Sequence, residues 1–282
     1  MFQHEGADRI PGANRRVAAY LASVAGYVNV TGVLLLGVST SHVTGNLTRL
    51  VVELSEGKAA AVGTVFLLSA AYFAGAFFAS LVIEANDPSH ASRTYGSLLL
   101  GEATLFGLFL GAGALFRTRT PASHDALASL LCAAMGLQNS LVTRLSGAVV
   151  RTTHLTGVVT DLAIEAARWF RFARARLSGR VNLRLSFGDR PLQRPDSEKI
   201  ALLSTLLVSF VLGGWLGAVA TLRVGRVAVA LPILATLGGG VYGLAGGRGL
   251  RLGRARAGDE RSLATSRGRS LLLPGRGYCR FG

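Results

Sequence analysis

The chain has 282 residues, half of them apolar, with only 16% charged and 36 glycines. A water-soluble domain carries about a quarter charged residues, so this composition argues against an ordinary soluble fold and fits a chain surrounded by lipid. The formal net charge of +15 comes almost entirely from arginine, Lys58 and Lys199 being the only lysines; the arginines cluster between and after apolar stretches, as positive-inside topology requires, which argues against nucleic-acid binding.

Residues 1–16 are polar, include Arg9, Arg15 and Arg16, and read as a cytoplasmic N-terminal segment. Six apolar stretches follow at 17–38, 60–83, 96–116, 126–145, 201–222 and 227–246, each near the roughly 20 residues that a helix needs to cross a hydrocarbon core. The first is too long for a signal-peptide core and is expected to be a retained span. The fourth holds Gln138 and Asn139 and ends at Arg144, so a buried or broken helix is an alternative there. Cys132 sits in an apolar stretch and Cys279 in the tail, which leaves no disulfide framework, no metal-ligand spacing and no cofactor motif.

Charge sets the expected topology. An N-terminus in the cytoplasm also places inside the insert 168–199, with nine basic and three acidic residues, and the basic tail 248–282, with nine arginines and two acids, which is expected to be disordered. The outer side then receives short links carrying Arg49, Glu53, Glu56 and Lys58, then Arg117 and Arg119, then Arg223 and Arg226. The basic segments are topogenic, and they could also lie on anionic lipid headgroups.

Self-comparison reveals a repeat. The nine residues from His42 to Leu50 find an echo in those from His154 to Leu162, with five identities, His, Thr, Gly, Thr and Leu. Upstream, Gly26 and Asn29 match Gly136 and Asn139; downstream, Gly75 with Ala79 matches Gly214 with Ala218. The expected fold is therefore all-α, a polytopic membrane protein of about six transmembrane helices in a domain spanning 17–247. Its two three-helix repeats, 17–116 and 126–247, have an odd number of spans each and must be inverted relative to one another, the plan of many secondary transporters. The small residues Gly75, Ala79, Gly214 and Ala218 are assigned to helix packing.

A few polar residues stand out from this apolar background. Asn29, Gln138 and Asn139 must face inward, either bonding other helices or lining a pathway. Glu102, near the start of the third apolar stretch, either serves a proton or cation pathway or reaches the interface. The segments His42, Thr44, Gly45, Asn46 and His154, Thr156, Gly157, Asp161 each open an amphipathic stretch that lies at an interface or dips into the bundle. Thr44 and Thr156 are candidate N-caps, and the histidines could shuttle protons or only fix the turn. No nucleophile elbow, zinc-binding helix or phosphate-cradling loop is present, so no enzyme is expected.

The order Ser41-His42-Val43-Thr44-Gly45-Asn46, then Met135-Gly136-Leu137-Gln138-Asn139, then Arg151-Thr152-Thr153-His154-Leu155-Thr156-Gly157 with Asp161, resembles the YoaK family of bacterial membrane proteins, a domain of unknown function (1275). The resemblance covers about residues 15–247 and implies an integral protein of the bacterial inner membrane, often described as a permease, with no established substrate. The leading expectation is a secondary transporter of an unknown small solute, with both termini cytoplasmic. The alternative is a non-transporting scaffold or accessory subunit that recruits a partner or anionic lipid through its arginine-rich segments.

Overall fold

The computed structural model describes residues 11–115, 120–145, 155–177 and 195–245, all helix or short connection with no strand among them. The helices are α1 (Pro11–Leu36), α2 (Val43–Ser55), α3 (Ala59–Glu84), α4 (Ala91–Leu115), α5 (Pro121–Leu145), α6 (Leu155–Leu177) and α7 (Ser197–Val224). A 3-10 turn, Gly225–Val229, then leads into α8 (residues 230–245). The N-terminal segment 1–10, most of the insert (178–194) and the basic tail beyond 245 lie outside the described residues.

Five stretches are long and apolar enough to cross a membrane: Arg15–Leu36, Ala61–Glu84, Ala91–Leu115, Pro121–Arg144 and Ser197–Ala245. The last is 49 residues long, about 70 Å if straight, but Gly225 interrupts it. That glycine has φ +62, a left-handed conformation that ends a helix at little cost only for a residue without a Cβ. The fourth stretch is a continuous helix rather than a broken one.

Several helices start earlier than their apolar lengths imply: α4 at Ala91 and α7 at Ser197, against expected starts of 96 and 201. Polar first turns explain this, because a cap satisfies the free amides outside the hydrocarbon. At α7 the Asp196 carboxylate accepts from the Glu198 and Lys199 amides at 3.0 and 3.1 Å. At α5 the Thr120 hydroxyl accepts from the Ser123 amide at 3.2 Å, with Pro121 at the first helical position.

Two parallel helix pairs organise the bundle. In the first, α1 lies on α7: a Cβ on Gly213 would overlap the Ser23 carbonyl, Gly217 sits against the Tyr27 carbonyl, and Thr31 Oγ1 meets Thr221 Oγ1 at 3.0 Å. These contacts step four residues along both helices in the same direction, one helical turn each. In the second, α3 lies on α5: a Cβ on Gly75 would overlap the Ala133 carbonyl, Ser80 Oγ meets Ser140 Oγ at 2.8 Å, and Glu84 pairs with Arg144. A third contact is antiparallel, α4 against α8, where Gly96 lies on Gly240 and Gly243 and Ser92 Oγ donates to the Gly243 carbonyl at 2.8 Å. Small residues allow all three close approaches, as packing in lipid requires.

The interior is built around α1 and α5, whose buried residues include Leu21, Ala25, Val28, Leu131, Met135 and Leu141. Outward-facing surfaces are apolar: Phe66, Phe73, Phe77 and Phe78 on α3, and Val208, Leu212, Trp215 and Leu216 on α7, are more than half exposed. Water would not tolerate so continuous an apolar surface; lipid does.

Candidate functional site

Asn29 sits three residues after Gly26 on the buried face of α1. Beyond α1, Gly37 takes φ +64 and the chain turns back along the helix it has just left. Thr40 and Val38 pack over Gly32 there, where a side chain would collide with Thr40. The Asn29 carbonyl oxygen then accepts from the Ser41 hydroxyl at 3.1 Å and its amide at 3.4 Å. Asn29 thus satisfies non-helical backbone inside the bundle, and such backbone persists at membrane depth only where it is buried in protein or lines a water-filled cavity.

Gln138 and Asn139 occupy the corresponding part of α5. The Gln138 Nε2 donates to the Leu21 carbonyl of α1 at 2.8 Å, and the Asn139 Nδ2 donates to the Tyr72 hydroxyl of α3 at 2.7 Å. Their carbonyl oxygens, Gln138 Oε1 and Asn139 Oδ1, are buried without a hydrogen-bond partner among the described residues. Each amide therefore ties α5 to a different neighbour while presenting a free acceptor inside the bundle.

Glu102 does not reach an interface. Because α4 begins at Ala91, this residue is twelfth of 25 (102 − 91 + 1 = 12), at mid-helix. Its side chain is 0% exposed, and neither carboxyl oxygen has a hydrogen-bond partner among the described residues. From α1, Tyr20 lies within its electrostatic reach, but the Tyr20 hydroxyl donates elsewhere, to the Ala235 carbonyl at 2.7 Å.

The first His-x-Thr-Gly segment lies on the surface. Helix α2 contributes no buried residue, packs along α3, and leaves His42, Thr44 and Gly45 exposed and Asn46 half-buried. His42, not Thr44, holds the N-cap position, and no side chain caps the helix; Thr44 falls inside the first turn, where its carbonyl accepts from Thr48 Oγ1 at 3.0 Å. In the second copy His154 lies outside the described residues, while Thr156 and Gly157 are exposed in the first turn of α6. Asp161 pairs with Lys199 at 3.5 Å across the α6–α7 junction. The structure therefore buries Asn29, Gln138 and Glu102 and half-buries Asn139, each with different neighbours, and leaves His42, Thr44, Gly45, Thr156, Gly157 and Asp161 outside the bundle. Amphipathicity is the reason: a helix with one polar face cannot enter a core whose facing surfaces are apolar.

Glu165 was not anticipated. It is wholly buried on α6, where its carboxylate accepts from Arg168 Nη1 at 2.6 Å and from the Asp196 amide at 3.3 Å, with Lys199 at 3.8 Å. One signal was available: Glu165 follows His154 by the interval that separates Glu53 from His42 (165 − 154 = 53 − 42 = 11). Glu53 engages Lys58, the N-cap residue of α3, at 3.6 Å. In both places a glutamate on the amphipathic helix holds the start of the next long helix.

A cavity of about 850 Å³ opens where α1 and α4 end and α5 begins, with Leu36, Gly113, Thr120, His124 and Arg226 in its wall. None of the sequence-derived candidates lines it. Among the described residues no three His, Cys, Asp or Glu side chains cluster as metal ligands. The free thiol of Cys132 is buried in α5.

No curated protein and no solved structure matches the chain. A family model described as protein of unknown function (DUF1275) matches residues 17–242, and with membrane-spanning helices throughout that region, the chain belongs to this family.

Proposed function

We propose that the chain is a secondary transporter of a small solute, crossing the inner membrane six times as two inverted three-span repeats, with both termini cytoplasmic. The observation that carries this reading is a repeated contact. A Cβ on Gly26 of α1 would overlap the Phe210 carbonyl and approach the Gly214 amide of α7; one on Gly136 of α5 would overlap the Tyr72 carbonyl and approach the Ala76 amide of α3. The reciprocal contacts, Gly213 on Ser23 and Gly75 on Ala133, repeat in the same way. One displacement relates the α1 residues to those of α5 (136 − 26 = 133 − 23 = 110), and another relates α3 to α7 (210 − 72 = 213 − 75 = 138).

Gly75 thus corresponds to Gly213, one residue from the Gly214 match drawn from sequence. Breaking Ser197–Ala245 at Gly225 makes six crossings, and strict alternation then runs α1 with α7 and α3 with α5, the senses in which those pairs pack. An inverted pair of three-span units has two equivalent ways of packing, one open to each side, which is the physical basis of alternating access. The pathway in this reading runs past Asn29, Gln138, Asn139 and Glu102. It omits the exposed histidine segments.

Reconstituted vesicles test the proposal. Gradient-driven flux of at least one solute from a broad panel is expected, together with thermal stabilisation of the purified protein by that solute. No flux and no stabilisation across the panel would end the transporter reading.

A further inference from the structure

Among the described helices apolar enough to cross a membrane, Glu102 is the only acidic residue in mid-helix: Glu84 ends α3, Asp125 is in the first turns of α5, Glu198 is in the first turn of α7, and α1 and α8 have none. The buried Glu165 lies on the amphipathic α6 and has Arg168 and Lys199 beside it. A carboxylate in a bundle needs a cation or several donors. Among the described residues Glu102 has neither, since it forms no salt bridge and neither oxygen accepts a hydrogen bond. Among those residues the surrounding elements show no ion pair with it. From α1, Tyr20 is within electrostatic reach, its hydroxyl donating to the Ala235 carbonyl. On α5, Leu137 lies against the neighbouring Gly101, and the adjacent Gln138 donates its amide to Leu21.

Other titratable groups are placed elsewhere. Helix α8 meets α4 through glycines, leucines and Ser92, and its Tyr242 is exposed. The turn before α8 brings Arg226 to Gly113, eleven residues along α4 (113 − 102 = 11), or about 16 Å. On α3, Tyr72 is engaged by Asn139. Arg93 of α4 itself lies nine residues before Glu102 (102 − 93 = 9). A site of this composition accommodates the neutral acid and not the anion. Among the described residues no other carboxylate, histidine or cysteine joins it in a metal-ligand cluster.

We propose that Glu102 is a reversible proton-binding site through which the transport cycle couples to the proton gradient, one proton per chain. The inference rests on the transporter reading above. In the closed bundle the carboxyl carries its proton. When helix movement admits water, the O–H bond breaks, the proton passes to water and the carboxylate is left hydrated. Reclosure requires the proton to return, because the closed site offers the anion no partner. The second repeat supplies no carboxyl in α8, so the stoichiometry is one.

A hydrophobic carbodiimide tests the site without knowledge of the solute, because it adds across a protonated carboxyl to give a stable acylurea and needs no further reagent. The full-length protein in lipid vesicles is treated with dicyclohexylcarbodiimide over a pH series, and the peptide containing Glu102 is read by mass spectrometry. Labelling at Glu102 is expected at low pH, falling about tenfold per pH unit beyond the midpoint. Glu102→Gln is expected to abolish the label at unchanged melting temperature, and Glu102→Asp to restore it. Absence of label at every pH, or label independent of pH, would overturn the site. For a solute that the wild type moves, flux indifferent to an imposed pH gradient would overturn the coupling while leaving transport standing; flux that follows the gradient in the wild type but not in Glu102→Gln would support it.

Discussion

Gly26 and Phe210 meet where α1 crosses α7, the Gly26 α-carbon packed on the Phe210 carbonyl with no room for even a methyl group. Lipid gives helices no hydrophobic reason to associate, so close backbone contact of this kind supplies much of the pairing energy. Gly26→Val is therefore expected to destabilise the protein by about 1–3 kcal/mol, the usual cost of overpacking. Gly136→Val should cost a similar amount, because it meets the same geometry at Tyr72. Gly63→Val, with nothing within 4 Å of its Cβ position, serves as the control. Thermal unfolding in detergent checks all three, and a harmless Gly26→Val would remove the glycine contact from the account of the fold.

Glu165 joins α6 to the cap of α7, pairing with Arg168 and lying near Lys199, which also has Asp161 as a partner. Glu165→Ala removes a hydrogen bond to Arg168 and another to the Asp196 amide from a fully buried carboxylate. A cost of about 1.5–3 kcal/mol is expected from charge-assisted bonds of this sort. Glu53→Ala should cost much less, because its partners Arg49 and Lys58 are 56% and 60% exposed and water replaces the carboxylate. Equal melting temperatures for the two variants would contradict the difference in burial.

Apolar length and the internal repeat made the helices and their approximate order legible in the sequence. So was the inward direction of Asn29, Gln138 and Asn139, since an uncompensated amide in hydrocarbon is costly wherever it falls. Partner choice was not legible: that α1 packs on α7 and α3 on α5 depends on matching small residues across two helices far apart in the chain. The sequence left Glu102 between a pathway and the interface because the apolar stretch was counted from residue 96, whereas the helix starts at Ala91 and tolerates Ser92 and Arg93 in its first turn. The histidine segments stood out in the sequence for another reason. Repetition marked them, but their exposure on α2 and in the first turn of α6 follows from amphipathicity.

Lys58 gives the junction between α2 and α3 a sensitivity to alkaline pH. The Glu56 carboxylate beside its ammonium, and then the charge of Glu53, raise its pKa above the ordinary 10.5. A lysine raised on folding stabilises fully below its unfolded value and loses that contribution as pH climbs through the folded one. The wild type should therefore exceed Lys58→Met in melting temperature at neutral pH by a small margin that closes above pH 10.5. High salt should close it too, since the group is exposed. A margin that widens with pH would reverse the assigned sign.

The two tryptophans report depth. Trp215 is exposed on the apolar surface of α7, while Trp169 is exposed on α6 beside Arg168 and Arg171. An amphipathic helix flanked by arginines lies in the headgroup plane, with its aromatic residues at the acyl boundary. In Trp169→Phe, the remaining Trp215 should be quenched most by lipids brominated deep in the acyl chain. In Trp215→Phe, Trp169 should respond most to quenchers near the headgroup. The same depth for both would mean that α6 does not lie at the interface.

Residues 55, 86 and 223 distinguish six crossings from five. Ser55 ends α2, Asn86 follows α3, and Arg223 is at the end of α7; all three are exposed. Single cysteines are introduced at each in a protein carrying Cys132→Ala and Cys279→Ser, and intact cells are treated with a membrane-impermeant maleimide. Six crossings with the N-terminus inside predict that Ser55→Cys and Arg223→Cys react from outside and that Asn86→Cys reacts only after lysis. If Ser197–Ala245 were one tilted crossing, position 223 would lie near the middle of the bilayer and stay unlabelled on both sides. Reaction at 223 from the same side as 55 places α1 and α7 in one orientation, as their Ser23–Gly213 and Tyr27–Gly217 contacts require.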